Sequence, residues 1–354
     1  MTNQGPANGT EVCSLWQQVQ VVRHRGPKAR HNGVVLDVLA ITFPFFALVL
    51  AGFIAVRRGM LPLPVIPGLN AFVLFFALPC MLFRFGAGTP IAQLLDPGVF
   101  GVYLICALIM VGFTFATTLS DRVDANNAAF GALTAAFPNT GYMGMPLFIA
   151  LFGARATGPA IVTIVIDLVI TSSLCIALSR LGHVDGGGTR SASDAARKAL
   201  YGVVVNPLPW AILLGAAFSA FDLSLPKPLM AAVGLLADAA SPVALFTIGA
   251  VLARSQLNST DVTPLADYVP VALKKLILHP LLVLLLGSAA IQLGVPLDRF
   301  ALTVIVLVAA LPSASNVVML AERYEADSGR IARVILVSTT LAFVTFSGAV
   351  ALLT

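Results

Sequence analysis

Long apolar stretches recur throughout this chain, and each is long enough to cross a lipid bilayer as a helix of about 20 residues. Only short polar connections separate them, so we predict ten membrane spans. The predicted spans cover residues 34–56, 65–86, 98–119, 127–152, 158–180, 202–221, 228–253, 269–292, 298–322 and 328–353.

The composition supports lipid as the solvent. Hydrophobic residues make up 58% of the chain and charged residues only 10%, whereas soluble domains carry about 25% charged residues. The net charge of +5 does not indicate nucleic acid, because the basic residues are spread between the apolar runs and form no single stripe. We therefore predict an all-α, multi-pass integral protein of the cell inner (plasma) membrane. We expect it to contact the lipid bilayer and not to bind nucleic acid.

The basic residues also predict the orientation of the chain. They are concentrated in the loops that follow odd-numbered spans, which we therefore place in the cytoplasm, with both termini outside. Residues 1–33 are polar and lack the apolar core of a signal peptide. For them we expect a disordered tail, or a start assigned too early, with the native chain beginning near Val34.

The spans fall into two halves that share local sequence patterns. Pro44–Gly52 resembles Pro207–Gly215, and Pro79–Gly86 resembles Pro242–Gly249, both at an offset of 163 residues. These similarities predict two repeats of five helices each. The predicted division is a first repeat at 34–180, a cytoplasmic linker at 181–201 and a second repeat at 202–354.

A third similarity lies deeper in each half. Ala135–Asn139 resembles Ala309–Ser313 at an offset of 174 residues, and an insertion of 11 residues in the 254–268 loop explains the change of offset. Because five is an odd number of spans, the second copy enters the membrane in the opposite orientation. Inverted repeats of this kind place a binding site near the midplane of the bilayer.

Prolines interrupt two of the predicted spans. The fourth span contains Pro138 and Pro146 with Gly141 and Gly144 between them, and the ninth contains Pro312 at the corresponding place. An internal proline removes a backbone hydrogen bond and costs a helix about 3 kcal/mol. Unwound backbone at membrane depth persists only where it is buried in protein or lines a watery cavity. We therefore predict two broken helices.

Broken helices expose helix ends that suit a carboxylate. The N-terminal end of a helix carries about half a positive charge and free N–H groups. The alternative is a structural kink capped by Asn and Ser, since proline is common in membrane helices, but two breaks at matching places favour a binding site. The predicted substrate-binding residues are Pro138, Asn139, Thr140, Gly141, Pro146, Pro312, Ser313, Ser315 and Asn316.

Both interruptions resemble motifs of the auxin efflux carrier family of membrane transporters. Pro138–Leu147 is similar to the family's fourth-helix motif, and Leu311–Tyr324 is similar to its ninth-helix motif. Asn206-Pro207 and Pro242–Gly249 fit the family as well. The similarity covers about residues 36–354 and is to the bacterial type, because 181–200 is short where the plant carriers have a long cytoplasmic loop.

The resemblance implies a ten-helix fold in which the broken helices cross, with a scaffold domain, a transport domain and elevator-like motion. It also implies a secondary transporter of small organic anions, such as malonate, malate or auxin-like acids, working by efflux or ion-coupled exchange. The chain has no Walker sequence, so nothing in it indicates ATP drive. We predict no catalytic residue, no cofactor and no metal ligand, and we leave a homodimer open.

Three ionisable residues inside spans are candidates for coupling to H+ or Na+. Asp167 lies in the fifth span and Asp238 in the seventh, where a charge costs roughly 3 kcal/mol or more and should face the interior. His279 in the eighth span is a candidate for the same relay. For each, the alternative is a structural residue bonded to a neighbouring helix. We interpret Lys274 and Lys275 as interface anchors.

Two other functions remain open. A cation/proton antiporter or a sodium-coupled bile-acid-like symporter has crossed broken helices too, although the paired acids that usually mark them are missing beside Pro138 and Pro312. An intramembrane aspartyl protease is a remote alternative because Asp167 and Asp238 are two membrane acids. The residues that flank them do not match the motifs of those enzymes.

Overall fold

The computed structural model describes residues 31–94, 96–180, 204, 207–258 and 263–353. Over these residues the chain is helical, with no β-strand. The first half forms α1 (His31–Arg57), α2 (Leu63–Ala87), α3 (Pro97–Thr118), α4a (Ala125–Ala136), α4b (Thr140–Phe152) and α5 (Ala154–Leu178), with a short helix at Ile91–Leu94. The second half forms α6 (Pro207–Ala220), α7 (Lys227–Asn258), α8 (Leu265–Gln292), α9a (Arg299–Ala310), α9b (Val317–Arg323) and α10 (Ser328–Leu353).

These helices lie where the apolar stretches predict them, and their ends differ from the predicted ends by at most five residues. α1 begins at His31, three residues before the predicted span. The rest of the predicted tail (residues 1–30) and the predicted linker from 181 to 200 lie outside the described residues, and both remain predictions.

Six of the helices are long and apolar enough to cross a bilayer. They are α2, α3, α5, α7, α8 and α10, and four shorter apolar helices lie at Phe43–Arg57, Thr140–Phe152, Pro207–Ala220 and Arg299–Ala310. α3 illustrates the pattern, because it buries Tyr103, Cys106 and Met110 completely. Its opposite side exposes the large apolar side chains of Phe100, Ile105, Ile109 and Phe113, as expected for a surface that faces lipid.

Acidic caps set the starts of α3 and α4a. The Asp96 carboxylate accepts hydrogen bonds from the backbone N–H groups of Gly98 and Val99, at 2.9 and 3.0 Å, with Pro97 in the first turn. The Asp124 carboxylate accepts one from the N–H of Asn127 at 2.8 Å and so begins α4a. Each cap satisfies donors that the helix itself leaves without a partner.

Helices α1 and α7 cross without side chains between them. A Cβ atom added at Gly52 of α1 would collide with the backbone carbonyl of Phe246 in α7. One added at Gly249 of α7 would collide with the carbonyl of Val49 in α1. Small residues allow this close backbone approach, which is a common way to hold membrane helices together.

Helices α2 and α6 cross in the same way. A Cβ added at Gly215 of α6 would lie 2.5 Å from the carbonyl oxygen of Phe83 in α2, and one added at Gly86 would lie 3.2 Å from the Cα atom of Gly215. The four glycines of these two crossings end the four similar segments that are related by the offset of 163 residues. Each crossing therefore joins a helix of the first half to a helix of the second.

The helices pack in two groups. One group contains α1, α2, α6 and α7, which are linked by contacts of α7 with α1 and α2 and of α2 with α6. The other contains α3, α4a, α5, α8, α9a and α10, with the broken helices inside it. The groups touch where α4b and α10 lie against α1 and α7, so the interruptions of the broken helices lie close to the boundary between the groups.

Candidate functional site

The fourth helix is interrupted at the proline that the sequence singles out. α4a ends at Ala136, and the N–H of Phe137 still donates to the carbonyl of Leu133 at 2.8 Å. Pro138 has no N–H to continue the pattern. The helix resumes at Thr140 with a wide π-helical turn, in which the N–H groups of Met143 and Gly144 both donate to the carbonyl of Asn139.

The ninth helix has a longer interruption. α9a ends at Ala310 and α9b begins at Val317, so residues 311–316 are outside the helix. The N–H of Ser313 donates to the hydroxyl oxygen of Ser338 in α10 at 3.2 Å, which ties the unwound segment to its neighbour. Both segments predicted to break are therefore broken, and neither runs on as a regular helix.

The two interruptions meet. The N–H of Asn139 donates to the carbonyl of Pro312 at 2.9 Å, and the N–H of Ala314 donates to the carbonyl of Phe137 at 2.9 Å. These two bonds form an antiparallel bridge between Pro138 and Ser313. Backbone groups freed by one broken helix are thus satisfied by the other, which fixes the crossing in a single arrangement.

Some polar atoms at the crossing are left without a partner. Among the described residues, the Thr140 and Ser313 hydroxyl oxygens and the Asn316 amide oxygen are buried and have no hydrogen bond. Leaving a buried polar group unsatisfied costs about 1–3 kcal/mol. Three such groups beside one crossing indicate a place for a polar ligand or for water.

A cavity opens beside the crossing. Its polar lining comes from Asn139 and Asn316, and Pro138 and Gly141 also line it. The rest of its wall is apolar: Leu78, Leu82, Phe137, Tyr142, Ile164, Leu168, Leu208 and Ala314. A small molecule with an apolar body and one polar end matches this lining.

A second cavity lies on the other side of Tyr142, which lines both. It is bounded by α2, α7 and the start of α9b, and its polar lining includes Asn70, Thr247, Arg254 and Ser315. The Arg254 guanidinium lies 3.8 Å from the Glu322 carboxylate of α9b. This cavity therefore brings a cation close to the crossing.

The remaining predicted substrate residue is more distant from these polar groups. Pro146 lies in the first turn of the α-helical part of α4b, past the wide turn, and it lines neither cavity. Thr140 is fully buried under the crossing. The other predicted residues lie at the bridge or line one of the two cavities.

Asp167 is buried behind the crossing. Its carboxylate accepts hydrogen bonds from the Tyr103 hydroxyl at 3.0 Å and from the Thr171 hydroxyl at 3.2 Å, and the side chain has no exposed surface. It lies in a π-helical segment of α5, Ile166–Thr171. Single π turns inside α-helices are frequent at functional sites because they redirect side chains.

Lys275 corrects an interpretation made from the sequence. It is fully buried and is therefore not an interface anchor. Its ammonium donates to the carbonyl of Ala309 at 2.7 Å and lies 3.1 Å from Nδ1 of His279. Lys274, by contrast, bonds the Thr117 hydroxyl at 2.6 Å from a partly exposed position, as an anchor should.

His279 joins the same cluster. When Lys275 is an ammonium, which can only donate, Nδ1 accepts from it and the proton of a neutral ring is on Nε2. That Nε2 atom is buried and has no partner among the described residues. The ring also lies 6.0 Å from the ring of Tyr103, which connects the cluster back to Asp167.

Asp238 is not part of this cluster. It pairs with Arg84 at 2.7 Å, and its side chain is 70% exposed. Asp167, with no exposed surface and other partners, does not form a dyad with it. Asp167 and Asp238 therefore have different partners in the structure, which gives the protease alternative no pair of carboxylates.

Known proteins resemble the chain over nearly its whole length. A family model described as "Membrane transport protein" matches residues 37–350. A Rhizobium meliloti protein named "Putative malonate transporter" is 27% identical over 317 residues, which cover 88% of this chain and 94% of that protein. "Uncharacterized transporter YfdV" of Escherichia coli K12 is 26% identical over 79% of this chain and 86% of its own length. An "Uncharacterized transporter" of Methanothermobacter thermautotrophicus is 27% identical, covering 84% and 92%.

Proposed function

This chain belongs to the auxin efflux carrier family of membrane transport proteins, and we propose that it is a secondary transporter of small organic anions. One observation carries the proposal. The interruption between α4a and α4b is hydrogen-bonded to the interruption between α9a and α9b. Buried side-chain oxygens beside them lack a hydrogen-bond partner among the described residues. Such a crossing offers a ligand fixed backbone dipoles and free side-chain groups at one point.

The geometry supports an anion as the ligand. The first N–H groups of a helix have no acceptor within it, and the helix dipole adds partial positive charge there. α4b, which begins at Thr140, presents this end to the cavity through Gly141 and Tyr142. The amides of Asn139 and Asn316 supply further donors on the same wall.

The substrate class is a small carboxylate. The apolar wall beside the crossing suits the body of a monocarboxylate, while Arg254 in the neighbouring cavity offers a cation for a second carboxylate. A relative's name refers to malonate, which is a dicarboxylate. We therefore propose malonate-like and malate-like acids first and auxin-like monocarboxylates second.

We further propose that the ten helical segments form two inverted repeats. The glycine crossings support this arrangement. Gly52 and Gly215 occupy corresponding places in the two halves, as do Gly86 and Gly249. A two-fold relation between the halves exchanges the α1–α7 crossing with the α2–α6 crossing, and both have the same close backbone contact.

The two packing groups support an elevator-type motion. α1, α2, α6 and α7 are the proposed scaffold, since glycine-mediated contact holds them together. The other helices carry the crossing and are the proposed transport domain. Movement of this domain along α1 and α7 exposes the cavity to one side of the membrane and then to the other.

Asp167 and His279 are the proposed coupling residues. Both are buried in the transport domain beside α9a, and each has a side chain that can take up or release a proton. We propose that the transport step is coupled to proton movement through this cluster. Asp238 is not included, because it is paired with Arg84 at the surface.

One observation favours a second candidate function. The cluster of Tyr103, Asp167, Lys275 and His279 is the kind of buried charged network found along ion pathways, so the chain could exchange cations for protons without an organic substrate. The fold is compatible with both functions. Flux measurements separate them.

The direct test is uptake by the purified protein in proteoliposomes. Labelled mono- and dicarboxylates are supplied one at a time under imposed proton and sodium gradients, with protein-free liposomes as the control. We expect saturable uptake of at least one carboxylate that depends on the proton gradient. Movement of cations with no carboxylate flux contradicts the proposal and supports the antiporter.

A further inference from the structure

The ammonium of Lys275 occupies an unusual position for a charged group in a membrane protein. It has no exposed surface and lies in the π-helical segment Lys274–Leu278 of α8. A buried charge in a membrane protein is costly unless it is paired and hydrogen-bonded. The groups that bond the ammonium therefore indicate its role.

The first partner is the end of a broken helix. Ala309 is the last but one residue of α9a, immediately before the interruption. Its carbonyl accepts a hydrogen bond of 2.7 Å from the Lys275 ammonium. The final carbonyls of a helix have no partner within the helix and carry about half a negative charge. In carriers with discontinuous helices, such C-terminal ends and unwound carbonyls coordinate the coupling cation.

Two further ionisable groups interact with the ammonium. On α8 itself, His279 faces the ammonium through Nδ1 at 3.1 Å. From α5, Asp167 interacts electrostatically with Lys275 across the cluster. The other titratable groups of this region are Tyr103 and Cys106 of α3 and Cys175 of α5, all of them buried.

We propose that the Lys275 ammonium is a built-in cation that fills the coupling-ion position at the end of α9a, so that this transporter needs no Na+. The inference rests on the proposed function for its meaning in transport. It also gives the broken helix a fixed counter-charge that does not leave with the substrate. Any coupling ion is then a proton, because the place that would coordinate a metal cation is already filled.

The test compares wild type with Lys275→Ala, Lys275→Gln and the matched control Lys274→Ala. Melting temperatures of the purified proteins are measured in choline, sodium and lithium chloride at equal ionic strength. We expect wild type and Lys274→Ala to melt alike in all three salts. Lys275→Ala leaves the Ala309 carbonyl and His279 Nδ1 without a donor beside Asp167, so we expect Na+ or Li+ to raise its melting temperature.

Uptake in proteoliposomes provides the second readout. Lys275→Gln keeps a donor for the Ala309 carbonyl and loses only the charge, so we expect uptake at least about tenfold below wild type without a change in folding. We expect Na+ to restore part of the uptake of Lys275→Ala and none of that of Lys275→Gln, whose amide still fills the position.

Three results overturn the inference. They are stabilisation of wild type by Na+ relative to choline, wild-type uptake by Lys275→Gln, and a Lys275→Ala variant that responds to neither Na+ nor Li+. The melting measurements need no transported substrate. Failure of wild type to take up any carboxylate therefore contradicts the proposed function alone, while the salt response still decides the role of Lys275.

Discussion

The two broken helices differ in how each ends before the crossing. α4a ends on its own groups: the Phe137 N–H bonds the Leu133 carbonyl, and the Thr134 hydroxyl donates to the Phe130 carbonyl at 2.6 Å. α9a also ends with a bond of its own, from the Leu311 N–H to the Val308 carbonyl, but in addition Lys275 of another helix bonds the carbonyl of Ala309.

The interruptions differ in length as well. Helix four is unwound for three residues and resumes with a wide turn, whereas helix nine is unwound for six. The comparison teaches that the repeat determines where the helices break, while unmatched side chains determine the chemistry at each break. In the other half, Asp167 corresponds to Leu341 and Lys275 to Gly101. Four predictions test this difference between the two broken helices.

The largest effect is expected at the two amides that line the cavity. Asn139→Ala and Asn316→Ala each remove a donor to the proposed carboxylate, and one hydrogen bond to a charged group is worth about 1.5–3 kcal/mol, or roughly 10- to 150-fold in affinity. We expect uptake to fall below detection in both variants, with folded protein still in the membrane.

The matched control is Asn127→Ala, which removes an amide at the far end of α4a. It should retain transport. Wild-type uptake by both Asn139→Ala and Asn316→Ala refutes the site, whereas loss in only one of them assigns substrate binding to one broken helix.

The next largest effect is expected at Asp167. Asp167→Asn keeps one acceptor oxygen, places an NH2 donor opposite the other of the Tyr103 and Thr171 hydroxyls, and cannot exchange a proton. We expect uptake that no longer depends on an imposed proton gradient, measured in proteoliposomes from pH 5.5 to 8.5. A pH dependence identical to that of wild type removes Asp167 as the coupling group.

A smaller effect on stability is expected at two glycines of α4b, which test the contact between the broken helices. A Cβ at Gly144 would lie 2.6 Å from the Leu311 side chain, whereas one at Gly141 would lie 3.7 Å from Leu78, an ordinary contact. Overpacking costs about 1–3 kcal/mol. We therefore expect Gly144→Ala to lower the melting temperature and Gly141→Ala to leave it unchanged while raising the KM of uptake.

Helix nine carries Val318 and Ser315 at the places that correspond to these glycines. Only α4b is therefore expected to show this sensitivity, and the control Ser315→Ala should melt like wild type. Equal melting temperatures for Gly144→Ala and Gly141→Ala indicate that the crossing can relax.

The smallest effect is expected at Arg254→Gln. The ion pair with Glu322 is 3.8 Å long, and the two side chains are 22% and 52% exposed, so solvent screens it. Such pairs contribute about 0–1 kcal/mol. We expect a melting temperature close to wild type and a larger change in dicarboxylate than in monocarboxylate uptake, because Arg254 lines the second cavity.

The sequence predicts the helices and both interruptions because their signals are local. Twenty apolar residues require a span, and Pro138 and Pro312 remove backbone donors whatever surrounds them. The predicted role of Asn139 as a site residue follows from the break beside it. Its contact with the Pro312 carbonyl came only from the structure, because no local rule states which backbone group faces it.

The sequence misleads where the partner comes from another helix. Lys275 looks like an anchor when the eighth span begins at residue 269, but α8 begins at Leu265. Lys275 therefore lies ten residues, or about 15 Å, along the helix. The pairing of Asp238 with Arg84 joins residues 154 positions apart, and nothing in their spacing indicates it.

The glycine crossings have a consequence for how the protein is made. Each joins α1 or α2 to α7 or α6, which is synthesised later. When α1 and α2 enter the bilayer, the helices that they contact have therefore not yet been made. In the first half, α3, α4a and α5 contact one another, but the main partners of α1 and α2 are in the second half. Biogenesis therefore depends on late interlocking of both halves, and a truncated chain is left as a target for quality control in the membrane.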